Sequence, residues 1–304
     1  MFIVEEDEEK REEQKQRSLK LAQFYKAEGL YKDAIKSYEL YIFLQGKDNT
    51  ASLIYKDLGI CYSLIGENEE AIKKLEKSHE IDNEDNKVIY LLAQMYEQNS
   101  DYEKAEKFYS KVKPQDIEEE ISVFYSMGDI AKRRGKTQKA IENFSKVLEF
   151  QPDDGHTYYV LGELYYYCGK IEEAEKCFKS AHERGIKKVG LYDYMGHIYM
   201  KKNDFENAKI NFLIAAGKEE RISSYYKNYL KCLSKEEIEA EEQVLKELQD
   251  YNLSLFRLAL LEQHKGNMET ARTILEKLEK DETTQLRLKK SIKDELNEIY
   301  SIKR

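Results

Sequence analysis

A large residue, usually aromatic, stands three places before an apolar one that directly precedes glycine or alanine, and this arrangement recurs along the chain. It reads YKDLG ending at Gly59, IYLLA at Ala93, FYSMG at Gly128, YYVLG at Gly162 and YDYMG at Gly196, at intervals of 34, 35, 34 and 34 residues. Twelve places after each comes a second small residue, at Ala71, Ala105, Ala140, Ala174 and Ala208. Four places further stands a large one: Leu75, Tyr109, Phe144, Phe178 and Phe212. Spacings of three and four place these landmarks on single helical faces. Turn sequences such as IGENEEA, RGKTQKA and CGKIEEA separate them, with glycine suited to a helix end and acids suited to the next helix start. Each period is therefore expected to be two amphipathic helices of about three turns that cross closely at their small residues. One such hairpin cannot bury its own apolar face, so neighbours must stack.

The period weakens towards both ends. Leu21, Ala22, Tyr25, Gly29, Ala34 and Tyr38 form an N-terminal unit, preceded by a charged leader over 1–14 that is expected to be partly helical. Ala259, Gly266, Ala271 and Leu275 mark a C-terminal unit. Between it and the regular array lies a degenerate unit over 223–251, with Leu230 or Asn228 where a small residue is due and Ala240 as its second landmark. Leu288, Ile292, Leu296 and Ile299 then form one apolar stripe in a helix over 282–304, the expected cap of the stack.

The landmarks resemble the tetratricopeptide repeat, W-x2-L-G-x2-Y…A-x3-F…P. Residues 155–188 carry it as Tyr158, Leu161, Gly162, Tyr165, Ala174 and Phe178, and residues 121–154 add Pro152 in the proline place. The resemblance implies an all-α, right-handed superhelical solenoid of about eight helix-turn-helix repeats with a C-terminal capping helix. Its units fall near 15–51, 52–85, 86–120, 121–154, 155–188, 189–222, 223–251 and 252–281, which leaves no stretch for a separate catalytic domain.

Composition narrows the function. The 304 residues carry a net charge of −9, the wrong sign for a duplex nucleic-acid binder or an anionic-membrane protein. No apolar run is long enough for a membrane-spanning helix, and the acidic N-terminus is unlike a signal peptide, so a cytoplasmic protein is expected. Cys61, Cys168, Cys177 and Cys232 form no C-x-x-C pair and are expected to be small buried or half-buried hydrophobes. The phosphate-loop, dinucleotide, zinc-protease and nucleophile-elbow motifs are absent, so neither an enzyme nor a metal or other cofactor is expected.

The tyrosines carry the functional reading. In TYYVLGELYYYCGK, Tyr158, Leu161, Gly162 and Tyr165 share one helical face, while Tyr159, Glu163, Tyr166 and Tyr167 share an adjacent one. The resemblance places the first face in the packing and the second in a concave groove that holds partner peptides. The same places along the array hold Tyr90, Tyr125 and Asp193, then Gln94, Asp129 and His197, with Lys132 in or beside the groove. Rings offer contact area with little rotamer entropy to lose, and the carboxylates favour a segment with basic or aromatic residues. His197 reads as a polar contact rather than a base. The expected role is a non-catalytic adaptor that binds an extended or helical segment of another protein. A regulatory or sensor subunit that binds a partner enzyme or signalling complex is the alternative. The family's clamp for acidic C-terminal tails uses lysine and asparagine where this chain has Leu19, Gln23, Lys56 and Ile60, so that version is not expected.

Overall fold

The computed structural model describes residues 2–47, 50–217, 222–248 and 252–302. Among them are seventeen α-helices and no strand. They fall into two compact units, Met1–Phe150 and Gln151–Arg304.

The first unit holds α1 (Phe2–Ala27), α2 (Tyr31–Gln45), α3 (Ser52–Leu64), α4 (Asn68–Ile81), α5 (Asn86–Gln98), α6 (Tyr102–Tyr109), α7 (Ile117–Arg133) and α8 (Thr137–Phe150). Consecutive helices pair as hairpins, α1 with α2 through α7 with α8. The charged leader belongs to α1, though its side chains up to residue 7 lie outside those described.

The second unit holds α9 (Gly155–Tyr167), α10 (Ile171–Glu183), α11 (Val189–Lys201), α12 (Phe205–Ala216), α13 (Ile222–Leu230), α14 (Lys235–Glu247), α15 (Asn252–His264), α16 (Met268–Lys280) and α17 (Leu286–Ile302). Here α9 pairs with α10, α11 with α12 and α15 with α16. The α13 helix instead lies chiefly against α12 and α15, and α14 lies against α15. Tyr226 and Tyr229 of α13 reach α14 by donating hydroxyl hydrogen bonds to Glu241, at 2.6 and 3.2 Å. Leu288, Ile292, Leu296 and Ile299 of α17 are all buried in one cluster with the α15 and α16 landmarks Ala259, Ala271 and Leu275.

The close crossing expected from the small residues is present. A Cβ placed on Gly162 would stand 2.7 Å from the Phe178 ring, and one on Gly196 would stand 2.6 Å from Phe212. Both rings are fully buried, so neither can retreat without opening the core. Except between α13 and α14, the turn after each first helix then holds one left-handed residue. Gly169 (φ 74°) supplies it, and the amides of Gly169 and Lys170 close the helix end on the carbonyls of Tyr166 and Tyr165 at 3.0 and 2.9 Å. Where no glycine is available, Ser100 (φ 61°) and Asn203 (φ 58°) hold the same place with the same pair of bonds.

Three of the four cysteines fit the apolar expectation: Cys61 and Cys232 are buried and Cys177 is half-buried. Burial pushes the Cys61 and Cys177 thiols up to about 11. Cys168 departs from it, being exposed, because it ends α9 at the mouth of the turn.

The basic run AKRRGK serves the junction between two hairpins. Glu106 of α6 receives ion pairs from Arg134, Lys136 and Lys139, the Lys136 contact at 3.0 Å. Hydrogen bonding from Lys139 first, and then Lys136, holds the Glu106 carboxyl down to about 2 from an ordinary 4.5. A carboxyl depressed in this way contributes stability that is complete above pH 4.5 and is lost as pH falls through about 2.

Two outcomes are expected. Gly162→Val lowers stability by about 1–3 kcal/mol in urea unfolding followed by circular dichroism, and the loss shrinks in a Phe178→Leu background because the two side chains share one space. Glu106→Gln lowers the thermal midpoint near neutral pH, and its gap from wild type closes as pH is taken from 4.5 towards 2. A gap constant over that range would show that the carboxylate charge does not hold the junction.

Candidate functional site

The three tyrosines placed at equivalent positions by the repeat make equivalent contacts. Tyr90 meets Tyr109 edge-on with ring centroids 6.1 Å apart, Tyr125 meets Phe144 at 5.3 Å, and Tyr159 meets Phe178 at 5.8 Å. In each case the partner is the large landmark of the hairpin's own second helix, already pressed against the small residue of the first. The next hairpin has Asp193 in the tyrosine place, and His197 supplies the ring against Phe212, at 5.0 Å. Each tyrosine is thus held on its core side and half-buried.

In the second unit these side chains join a larger cluster. Tyr194 of α11 stacks on Phe178 with centroids 5.2 Å apart, lies 5.1 Å from Tyr166, and shares a 2.8 Å hydroxyl hydrogen bond with Tyr167. Burial first, and then the Glu163 carboxylate, raise the Tyr159 phenol above its ordinary value. Burial likewise raises Tyr166, assisted by Asp193. Asp193 Oδ1 stands 3.4 Å from His197 Nε2, an ion pair when the imidazole is protonated.

The spacing separates packing rings from surface rings more sharply than the fold does. Tyr158, Tyr159, Tyr165 and Tyr166 are all half-buried, whereas Tyr167 is 72% exposed. The cause lies one hairpin further on: Tyr194 folds back over the α9 face, Lys188 stands 4.9 Å above Tyr159, and Lys201 stands 4.7 Å above Tyr166. Two rings read as open to a basic ligand therefore carry cations of the chain itself. Tyr194, Lys188 and Lys201 escaped the pattern because no α9 spacing includes them. The run YDY beside Gly196 was the one visible signal of Tyr194.

The first unit distributes its candidates differently. Burial raises the Tyr90 phenol above its ordinary value, and the Gln94 side chain acts against that rise. Asp129 is taken by Arg133 of its own helix, Nε to Oδ2 at 2.6 Å, and Arg133 also stands 5.9 Å over the Tyr102 ring. Lys132 is half-buried on the same helix. Among the described residues, no group of three or more histidine, cysteine, aspartate or glutamate side chains converges as a metal site would require.

The sequence pattern of the tetratricopeptide repeat matches residues 87–113, 121–154, 155–183 and 253–282. The chain is a tetratricopeptide-repeat protein. It is 32% identical over 96 residues to the Protein CTR9 homolog of Arabidopsis thaliana, covering 31% of this chain and 9% of that protein. It is 25% identical over 153 residues to BBSome complex member bbs-4 of Caenorhabditis elegans, covering 48% of this chain and 32% of that protein. The chain thus spans no more than about a third of the length of either relative. Among solved structures it is similar to Pseudomonas aeruginosa pilF, at 17% identity and a TM-score of 0.47, with 67% of this chain and 90% of that one covered. It is also similar to MamA protein, at 23% identity and a TM-score of 0.49, with 57% of this chain and 92% of that one covered.

Two adjacent rings of this repeat protein have opposite energetic roles. Phe178→Ala is expected to cost about 3–5 kcal/mol, since it empties a fully buried site under Tyr159 and Tyr194. Tyr167→Ala is expected to change stability by less than about 0.5 kcal/mol, because an exposed ring has little left to lose. Urea unfolding of both variants checks this, and a large loss for Tyr167→Ala would make that ring part of the core.

Proposed function

We propose that this tetratricopeptide-repeat protein is a scaffold that holds a segment of a partner protein against the first-helix faces of its repeats. In the second unit the contact comprises Tyr159, Glu163, Tyr166, Tyr167 and Tyr194, flanked by Asp193 and His197. The role assigned is binding, not catalysis.

The observation that carries this reading is the state of Tyr167. Its ring is 72% exposed, yet its hydroxyl is tied to Tyr194, which is stacked on the buried Phe178. An exposed aromatic held in place by core contacts gives up little conformational entropy when it is covered. Glu163 and Asp193 lie on the same two helices and favour a segment with a basic or aromatic side chain at this ring. Tyr90 and Tyr125 give the first unit the same pinned rings. A BBSome complex member among the relatives agrees with a place in an assembly. The net charge of −9 speaks against a nucleic-acid partner, and among the described residues no helix is long and apolar enough to cross a membrane.

Affinity capture from native cell extract tests the proposal. Tyr167→Ala is expected to lose at least one protein held by wild type while keeping the wild-type circular dichroism and thermal midpoint, since its ring is exposed. An unchanged set of captured proteins from a folded variant sinks this reading.

A further inference from the structure

The second helices of the first unit carry a surface of the opposite chemistry. A cleft of about 420 Å³ lies between α2 and α4, floored by Ile42 and Tyr55 and walled on one side by Phe43. Ile42 and Tyr55 are buried, but Phe43 is 78% exposed, a large aromatic left open beside an apolar floor. The Tyr55 hydroxyl donates to the Lys47 carbonyl at 3.2 Å and so fixes the turn that brings Lys47 to the rim.

The rim is basic in a chain whose net charge is −9. Four lysines line the cleft, Lys47, Lys73, Lys74 and Lys77, against two carboxylates, Glu39 and Glu70. Glu39 already accepts the Tyr62 hydroxyl at 2.6 Å, and Glu70 pairs with Lys73 at 2.5 Å. The Lys73–Glu70 and Lys77–Glu80 pairs are solvent-exposed, a kind of ion pair that is weak and easily exchanged.

We infer that this cleft docks an acidic protein segment that carries an apolar side chain. Lys73 and Lys77 are one helical turn apart, about 5–6 Å. Alternate side chains on one face of an extended strand stand about 6.6–6.8 Å apart. Two carboxylates at i and i+2 of such a segment therefore meet two successive lysines while an apolar neighbour covers Phe43. The lysines run along α4 rather than converging on a point, which suits a polymer of carboxylates better than a lone headgroup. The surface belongs to α2, α3, α4 and the turn after α2. It is therefore separate from the tyrosine faces, and the two proposals stand or fall independently.

Fluorescence anisotropy on the full chain tests it, using a labelled peptide of about ten residues that alternates glutamate with leucine and phenylalanine. Lys73→Glu/Lys77→Glu and, separately, Phe43→Ser are each expected to weaken binding at least about tenfold, whereas Tyr167→Ala leaves it unchanged. Phe43 is exposed, so its replacement keeps the fold, as circular dichroism will verify. The inference is overturned if the peptide does not bind, if the folded variants bind it as wild type does, or if the matching lysine peptide binds equally well. Displacement of the peptide by an equal concentration of decanoate assigns the cleft to a carboxylate amphiphile and overturns it too.

Discussion

The fold depends on one contact repeated along the chain: a residue with little or no side chain on a first helix against a large side chain on the second. Gly162 on Phe178 and Gly196 on Phe212 show it in the second unit, and Gly59 on Leu75 and Gly128 on Phe144 show it in the first. Dense packing follows directly, since the large side chain fills the space that a Cβ would occupy. So does the order of events at the surface. Once Phe178 is locked under Gly162, its remaining edge is available to Tyr159 and its face to Tyr194. The aromatic cluster is built outward from the crossing point.

Stacking of hairpins then decides what each surface becomes. A hairpin alone would leave the α9 rings in water. The next one lays Tyr194, Lys188 and Lys201 across them and leaves Tyr167 at the edge. Ion pairs reinforce such junctions where charges face each other across hairpins, as Glu106 does with Lys136 and Lys202 with Glu175 at 2.6 Å. Arg134 and Lys136 of the basic run AKRRGK belong to this bonding, which gives a positive stretch in an acidic chain a structural role.

The architecture was legible in the sequence because a close crossing demands small residues and large partners at a fixed distance, and few other folds impose that pattern over a 34-residue period. Turns were less legible. Glycine announces a left-handed residue, but Ser100 and Asn203 fill that place without announcing it. The candidate site was legible by half. Spacing within one helix showed which residues share a face, while the groups that cover that face come from another hairpin and obey no spacing within α9. The lysine-rimmed cleft was invisible for the same reason, since its walls come from helices that meet only on stacking.

The two kinds of helix present different surfaces. In the second unit the first helices present phenols and carboxylates, and in the first unit α4, a second helix, presents three lysines within five residues beside Phe43. The division has a physical origin. Helix pairs cross at their small residues on one side only, so the opposite faces of the two helices are chemically independent, and each can change without disturbing the core. A repeat protein can in this way carry two recognition chemistries on one scaffold. For an acidic segment the −9 net charge would disfavour contact away from the proposed lysine rim, so local charge rather than shape alone would decide where such a segment docks.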